Sequence, residues 1–172
     1  MNKELTEKAQ RFLSVLPHCR VLGFEVPEVS DDRLIMTMPY QEKVIGNPLN
    51  GALHGGCLTT LMDTACGTAA YTYLPGSQLC PTLDLRIDHY SAADVEAKLY
   101  AEAKVEHTAA NVMFTNCQVF QHPVDHPKRK LIASCTATFM RLQPDLVRGP
   151  SIDQTVAAMK NQSAIQDQGA MK

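Results

Sequence analysis

No apolar run in this sequence approaches the roughly 20 residues of a membrane span. The nearest candidate, Cys57 to Gly76, is broken by Asp63, Gly67 and several threonines, so no membrane association is expected. Excess charge of one sign is also lacking. With 16 Lys and Arg against 18 Asp and Glu, the net charge is −2, without the basic surplus that non-specific nucleic-acid binding uses. Paired cysteines are absent: Cys19, Cys57, Cys66, Cys80, Cys117 and Cys135 form no CxxC or CxxxC spacing. That pattern argues against a zinc or disulfide framework and for small buried hydrophobes in a reducing compartment; no metal is expected. Cys57 falls near a helix start, where a thiolate is favoured, but it lacks a partnered base and is not assigned as a nucleophile. There is no internal repeat and no low-complexity run. The first residues, MNKELTEKAQRFLSVL, carry two glutamates and resemble neither a secretory signal nor a transit peptide, which makes a cytoplasmic location the default.

What is present is ordinary for one globular domain: 45% hydrophobic and 20% charged residues over 172 positions, enough chain to bury a core. Leu5, Phe12, Leu13 and Leu16 are spaced for an amphipathic helix over 3–16 that Pro17 stops. Extended segments follow at 20–29 and 33–39, joined by a turn at Ser30-Asp31-Asp32. A loop from Tyr40 to Leu53 leads to a helix over 55–73, ended by Pro75-Gly76. That helix is rich in small residues on every side, so it belongs inside the molecule. Four segments, 82–90, 97–107, 111–121 and 130–141, then alternate apolar and polar residues with a period of two, as in an antiparallel sheet with one solvated face. In the first, Leu83, Leu85 and Ile87 oppose Asp84, Arg86 and Asp88. The pattern fades beyond Arg141. Residues 1–142 are read as one domain of α+β class, an antiparallel six-stranded sheet curled around a long central helix, and 143–172 as a peripheral tail with a short helix at 152–160.

The candidate site is His54-Gly55-Gly56 with Asp63 nine positions after His54. Asp63 is the one charged residue between Cys57 and Gly76. A lone carboxylate is costly among apolar side chains and is tolerated where it does chemistry or finds dedicated partners. The glycine pair admits a close approach to the backbone. Backbone N–H groups of Gly55 and Gly56 at a helix N-terminus suit a carbonyl oxygen that gains negative charge. Helical spacing puts His54 and Asp63 about 13 Å apart, too far to act on one carbonyl, since reacting groups must lie about 3 Å from each other. Two antiparallel copies of the helix would bring the Gly55 end of one beside Asp63 of the other. The spacing therefore predicts a homodimer with two composite sites related by a twofold axis, and leaves a dimer of dimers open.

This order of elements, with His-Gly-Gly at the start of a buried helix, resembles the hotdog fold. The nearest branch is the phenylacetate-type acyl-CoA thioesterases. The residues that carry the likeness are Gly46-Asn47-Pro48, Gly51 through Gly56, Asp63-Thr64-Ala65 and Pro81 through Asp88, within a stretch of roughly 20–141. The resemblance implies hydrolysis of an acyl-CoA thioester without a cofactor, Asp63 acting as general base or as a nucleophile that forms an anhydride. It also implies that a Thr82 hydroxyl serves Asp63, that the Asn47 amide holds water or thioester, and that His54 orients the loop and the carbonyl. Thr64, His89 and Arg86 fall where substrate contacts are expected, with His89 bordering a pantetheine channel or standing as a surface strand residue. One departure is notable. The family amide usually stands six residues before the histidine, whereas Asn47 stands seven before it and Asn50 four; the Gly-Asn-Pro setting favours Asn47.

Duller roles compete for the same residues. Asn47 can brace its own turn, Thr82 can be a plain strand residue, and Asp63 can cap a neighbouring loop. The stretch HPVDHPKRK at 122–130 reads as a solvated hairpin tip, although Lys128, Arg129, Lys130 and Arg86 could meet CoA phosphates. Two other functions fit less closely: a hotdog dehydratase or hydratase acting on acyl-CoA or acyl-carrier protein, and a non-catalytic acyl-CoA-binding protein.

Overall fold

A computed structural model describes residues 1–76, 78–142 and 149–169. The first helix, α1 (Lys3–Ser14), begins where the Asn2 side chain accepts a hydrogen bond from the Leu5 N–H, and it buries Thr6, Ala9 and Leu13. Pro17 does not simply end this helix. It occupies the first turn of a second one, α2 (Pro17–Leu22), closed by Gly23 at φ 68°. The expected strand start at 20 is therefore corrected to Glu25. A proline at the first helical position gives up an N–H that has no intrahelical acceptor in any case, and Gly23 supplies the left-handed residue that stops the turn.

Strands β1 (Glu25–Val29) and β2 (Leu34–Met38) form the first hairpin, with Ser30 Oγ donating to Asp32 in the turn. The expected loop at 40–53 contains a 3-10 turn (Glu42–Val44) and a miniature hairpin, β3 (Ile45–Asn47) with β4 (Ala52–Leu53). The central helix α3 runs Gly55–Tyr73. Beyond it come β5 (Thr82–His89), β6 (Leu99–Thr108), β7 (Val112–Gln121) and β8 (Lys130–Met140).

The main sheet has six strands in the order β1-β2-β6-β7-β8-β5, every neighbouring pair antiparallel. The chain thus passes from β2 through α3 to the far edge of the sheet, and later strands fill the gap. Inward-facing residues are Met36 and Met38 on β2, Leu99, Ala101 and Ala103 on β6, Met113, Cys117 and Val119 on β7, and Cys135, Ala137 and Phe139 on β8; all are buried. The alanines leave room for α3, and a Cβ on Gly67 would lie 3.2 Å from the Phe139 ring. A fully buried apolar side chain contributes about 1.5–3 kcal/mol, so this face dominates the stability of the domain.

Two features of the periphery position the site. Helix α1 covers the C-terminal half of α3, with Phe12 stacked on Tyr71 at 4.5 Å and Lys8 Nζ donating to the carbonyls of Thr72 and Leu74. Strand β5 has one unpaired edge, and its Leu83 is 51% exposed. The final helix, α4 (Ile152–Gly169), continues past the 152–160 segment read from sequence and places buried Ile152 near α1. The parts of the expected tail at 143–148 and 170–172 lie outside the described residues. No helix among the described residues is long and apolar enough to cross a membrane.

Candidate active site

His54 is the N-cap of α3. Its backbone N–H donates to the Val44 carbonyl at 2.8 Å, which fastens the start of the helix to the 3-10 turn. Its ring Nδ1 accepts from the Gly56 N–H at 2.9 Å. In the neutral ring the proton must then sit on Nε2, so His54 offers one N–H donor on its free side. Two glycines make this cap possible. A Cβ on Gly46 would fall 2.7 Å from His54 Cα, and one on Gly56 would fall 2.8 Å from His54 Nδ1.

This geometry corrects one expectation. Gly55 and Gly56 were expected to offer two free amides, but the Gly56 N–H is engaged by the imidazole. The Gly55 N–H has no acceptor among the described residues and is the donor that faces outward. A helix N-terminus carries partial positive charge, so that single amide is well placed to receive an anionic oxygen.

Asp63 lies two and a half turns along, on the same side of α3 as Gly56, Thr59 and Thr60 (spacing of three and four residues). Both threonine hydroxyls bond back to the helix, to the carbonyls of Gly55 and Gly56. Asp63 Oδ1 accepts from Thr82 Oγ1 at 2.8 Å. No cation pairs with Asp63 among the described residues. The strip was readable from spacing alone, yet Thr59 and Thr60 escaped notice because a threonine in a small-residue helix looks like filler.

Strand β5 runs beside this strip and joins its two ends. Thr82 opens the strand next to Asp63, and His89 closes it next to Gly55, whose Cβ position is 3.9 Å from His89 Cε1. A cleft of about 360 Å³ opens there, lined among others by Leu53, Gly55, Leu58, His89 and Tyr90. His89 thus borders a cavity at the helix start.

The remaining candidates are not brought to this face. Thr64 is buried beside Cys19, because one residue along a helix turns the side chain by about 100°. Arg86 is exposed on the outer side of β5 and pairs with Asp88 at 3.3 Å. Asn47 Oδ1 accepts from the Leu49 N–H and Asn50 Oδ1 from the Ala52 N–H. Each asparagine braces its own turn, with the amide NH₂ left free among the described residues. In the 122–130 hairpin, Arg129 stacks on Phe120 and pairs with Glu102, and Lys130 pairs with Asp94, which leaves Lys128 as its exposed uncommitted cation. Burial pushes the Cys57 thiol up, against a nucleophilic thiolate.

Comparisons with known proteins agree with this layout. Residues 50–125 match the family model of the thioesterase superfamily. A crystal structure of a Pseudomonas aeruginosa protein is 43% identical, with a TM-score of 0.71 over 80% of this chain and 99% of that one. The acyl-coenzyme A thioesterase THEM4 of Xenopus laevis is 32% identical over 106 residues, 62% of this chain and 42% of the frog protein. The chain spans 42% and 61% of the lengths of the two relatives found by sequence. The phenylacetic acid degradation protein PaaI of Thermus thermophilus, at 22% identity and a TM-score of 0.62 over 72–73% of this chain and nearly all of its own, shares the fold.

Proposed function

Because this chain belongs to the thioesterase superfamily and carries the hotdog fold, we propose that it hydrolyses acyl-CoA thioesters to the free acid and CoA. The observation that carries the reading is Asp63: a carboxylate on the uncovered half of an otherwise buried helix, held by the Thr82 hydroxyl alone. Structural acids in such surroundings are matched with cations or with several backbone donors. An acid held in position yet left unneutralised is suited to take a proton.

In this mechanism the active unit is a homodimer. The Gly55 amide and the Nε2–H of His54 in one protomer receive the thioester oxygen, while Asp63 of the partner stands across the carbonyl. A water attacks the carbonyl carbon as Asp63 removes its proton, and negative charge builds on the oxygen beside Gly55. Collapse breaks the C–S bond. CoA leaves as the thiolate and takes up the proton, and the acid remains. The same carboxylate could instead attack the carbonyl and form an anhydride that water then opens. Incorporation of labelled solvent oxygen into Asp63 during a single turnover separates the two routes. The cleft lined by His89 and Leu53 is assigned to the pantetheine arm. Asn47 is the amide placed nearest the carbonyl, through the NH₂ left free by its turn.

The test is Asp63→Asn, a near-isostere that cannot accept the proton. The expected result, across acetyl-, palmitoyl-, phenylacetyl- and benzoyl-CoA, is a fall in kcat of about a hundredfold or more. Thiol release at the wild-type rate would end the proposal. Water addition to enoyl thioesters without thiol release would replace it with a hydratase.

A further inference from the structure

The core holds a side-chain cluster that the hydrolysis described above does not use. Cys66 projects from α3, Cys117 from β7 and Cys135 from β8, and they are 0%, 0% and 3% exposed. Cys117 and Cys135 stand directly opposite each other in the β7–β8 ladder. Cys66 Sγ is 3.7 Å from Cys135 Sγ, and all three sulfurs lie within 4.8 Å of one another. These cysteines are 51 and 18 residues apart along the chain, so no local spacing announces them.

We propose that Cys66, Cys117 and Cys135 form a three-coordinate binding site for a monovalent thiophilic cation, Cu(I). With sides no longer than these, a point exists within about 2.6 Å of all three sulfurs, against a metal–thiolate bond of about 2.3 Å. Closure by a few tenths of an ångström completes the site, and two of its ligands already sit on a rigid ladder. Soft sulfur ligands select soft metals. Zinc is the weaker fit, because a structural zinc site asks for four ligands and no His, Asp, Glu or fourth Cys joins this group among the described residues. Each thiol that ligates releases its proton (Cys–SH plus Cu(I) gives Cys–S–Cu and H⁺), and the cation offsets part of the negative charge so created. Burial of all three sulfurs means that the ion loads as the chain folds.

The test is independent of catalysis. The full chain is unfolded and refolded without oxygen, in Cu(I) supplied as its bicinchoninate complex, then desalted. Its copper content is measured together with the ultraviolet thiolate-to-copper charge-transfer band. About one copper per chain is expected, falling at least about tenfold in Cys66→Ala, Cys117→Ala and Cys135→Ala and unchanged in Cys19→Ala and Cys57→Ala. X-ray absorption on loaded wild-type protein should show three sulfur neighbours, a readout that stands even where a variant fails to fold. The proposal is overturned if the refolded chain holds no copper against the chelator, if Cys117→Ala holds as much as wild type, or if the metal shows nitrogen or oxygen ligands.

Discussion

From Thr64 to Thr72 the central helix is buried residue after residue, whereas from His54 to Asp63 one side of it faces out. Both halves are built from glycine, alanine, threonine and cysteine with a few larger apolar residues, so composition does not separate them. Coverage does. The C-terminal half lies under α1, held by the Phe12–Tyr71 stack and by Lys8 on the last carbonyls. The N-terminal half has β5 along one flank, and its strip of Gly55, Gly56, Thr59 and Asp63 meets no other element of the chain. Small side chains allow close packing on the sheet in one half and leave room for a ligand and a second copy of the chain in the other.

If the halves are as separable as this, substitutions should split activity from stability. The largest effect belongs to Asp63→Asn: a loss of about 2.7 kcal/mol or more of transition-state stabilisation, with the melting temperature within a few degrees of wild type. Phe12→Ala should do the reverse. Losing a packed aromatic costs on the order of 2–3 kcal/mol at a half-buried position, which lowers Tm by roughly 5–10 °C for a chain of this size. Turnover per folded molecule, assayed well below Tm, should stay unchanged. Thermal melts and steady-state kinetics on the two variants decide the matter, and a joint loss of activity and stability in either would mean that the halves are coupled.

Gly56→Ala sharpens the comparison within the exposed half. The new Cβ would collide with His54 Nδ1, so the ring must leave its cap. Loss of a cap costs about 1 kcal/mol, and the better helix propensity of alanine returns a similar amount. Stability should therefore barely move. The Nε2–H of His54, however, loses its aim, and kcat/KM is expected to fall about tenfold, or about 1.4 kcal/mol. Unchanged kinetics would assign the carbonyl to the Gly55 amide alone.

Sequence reading reached some of this geometry and missed other parts for identifiable reasons. The bounds of α3 were legible because Pro75-Gly76 ends a long run of small residues. The four later strands were legible because a half-buried strand imposes a period of two. The Asp63–Thr82 contact was also within reach, since a carboxylate in such a run needs a donor and the next strand begins with a hydroxyl. Helix α2 was hidden because Pro17 carries the same letter whether it closes one helix or opens the next. The occupied Gly56 amide depends on how the His54 ring turns, which spacing does not encode. Thr64 follows Asp63 in the chain yet faces the core. The three clustered cysteines meet through strand register and helix placement alone.

The smallest expected effect probes the covered half. Lys8 bonds the carbonyls of Thr72 and Leu74, where a cation at a helix C-terminus is worth about 0.3–1 kcal/mol. Lys8→Met should lower stability by that amount at neutral pH and leave catalysis alone. Burial, more than any neighbouring charge, holds the Lys8 pKa below its ordinary 10.5. The unfolded chain therefore keeps the Lys8 proton over a range of pH in which the folded chain has begun to lose it, so this group adds stability as pH rises toward 10.5 and loses it as pH falls through the lowered folded value. Denaturant melts of wild type and Lys8→Met over this alkaline range should show the wild-type advantage widening with pH. A narrowing advantage would mean that the charge on Lys8 is stabilised at the helix end more than it is penalised by burial, and α1 would then hold the C-terminal half of α3 through electrostatics as much as through the Phe12–Tyr71 stack.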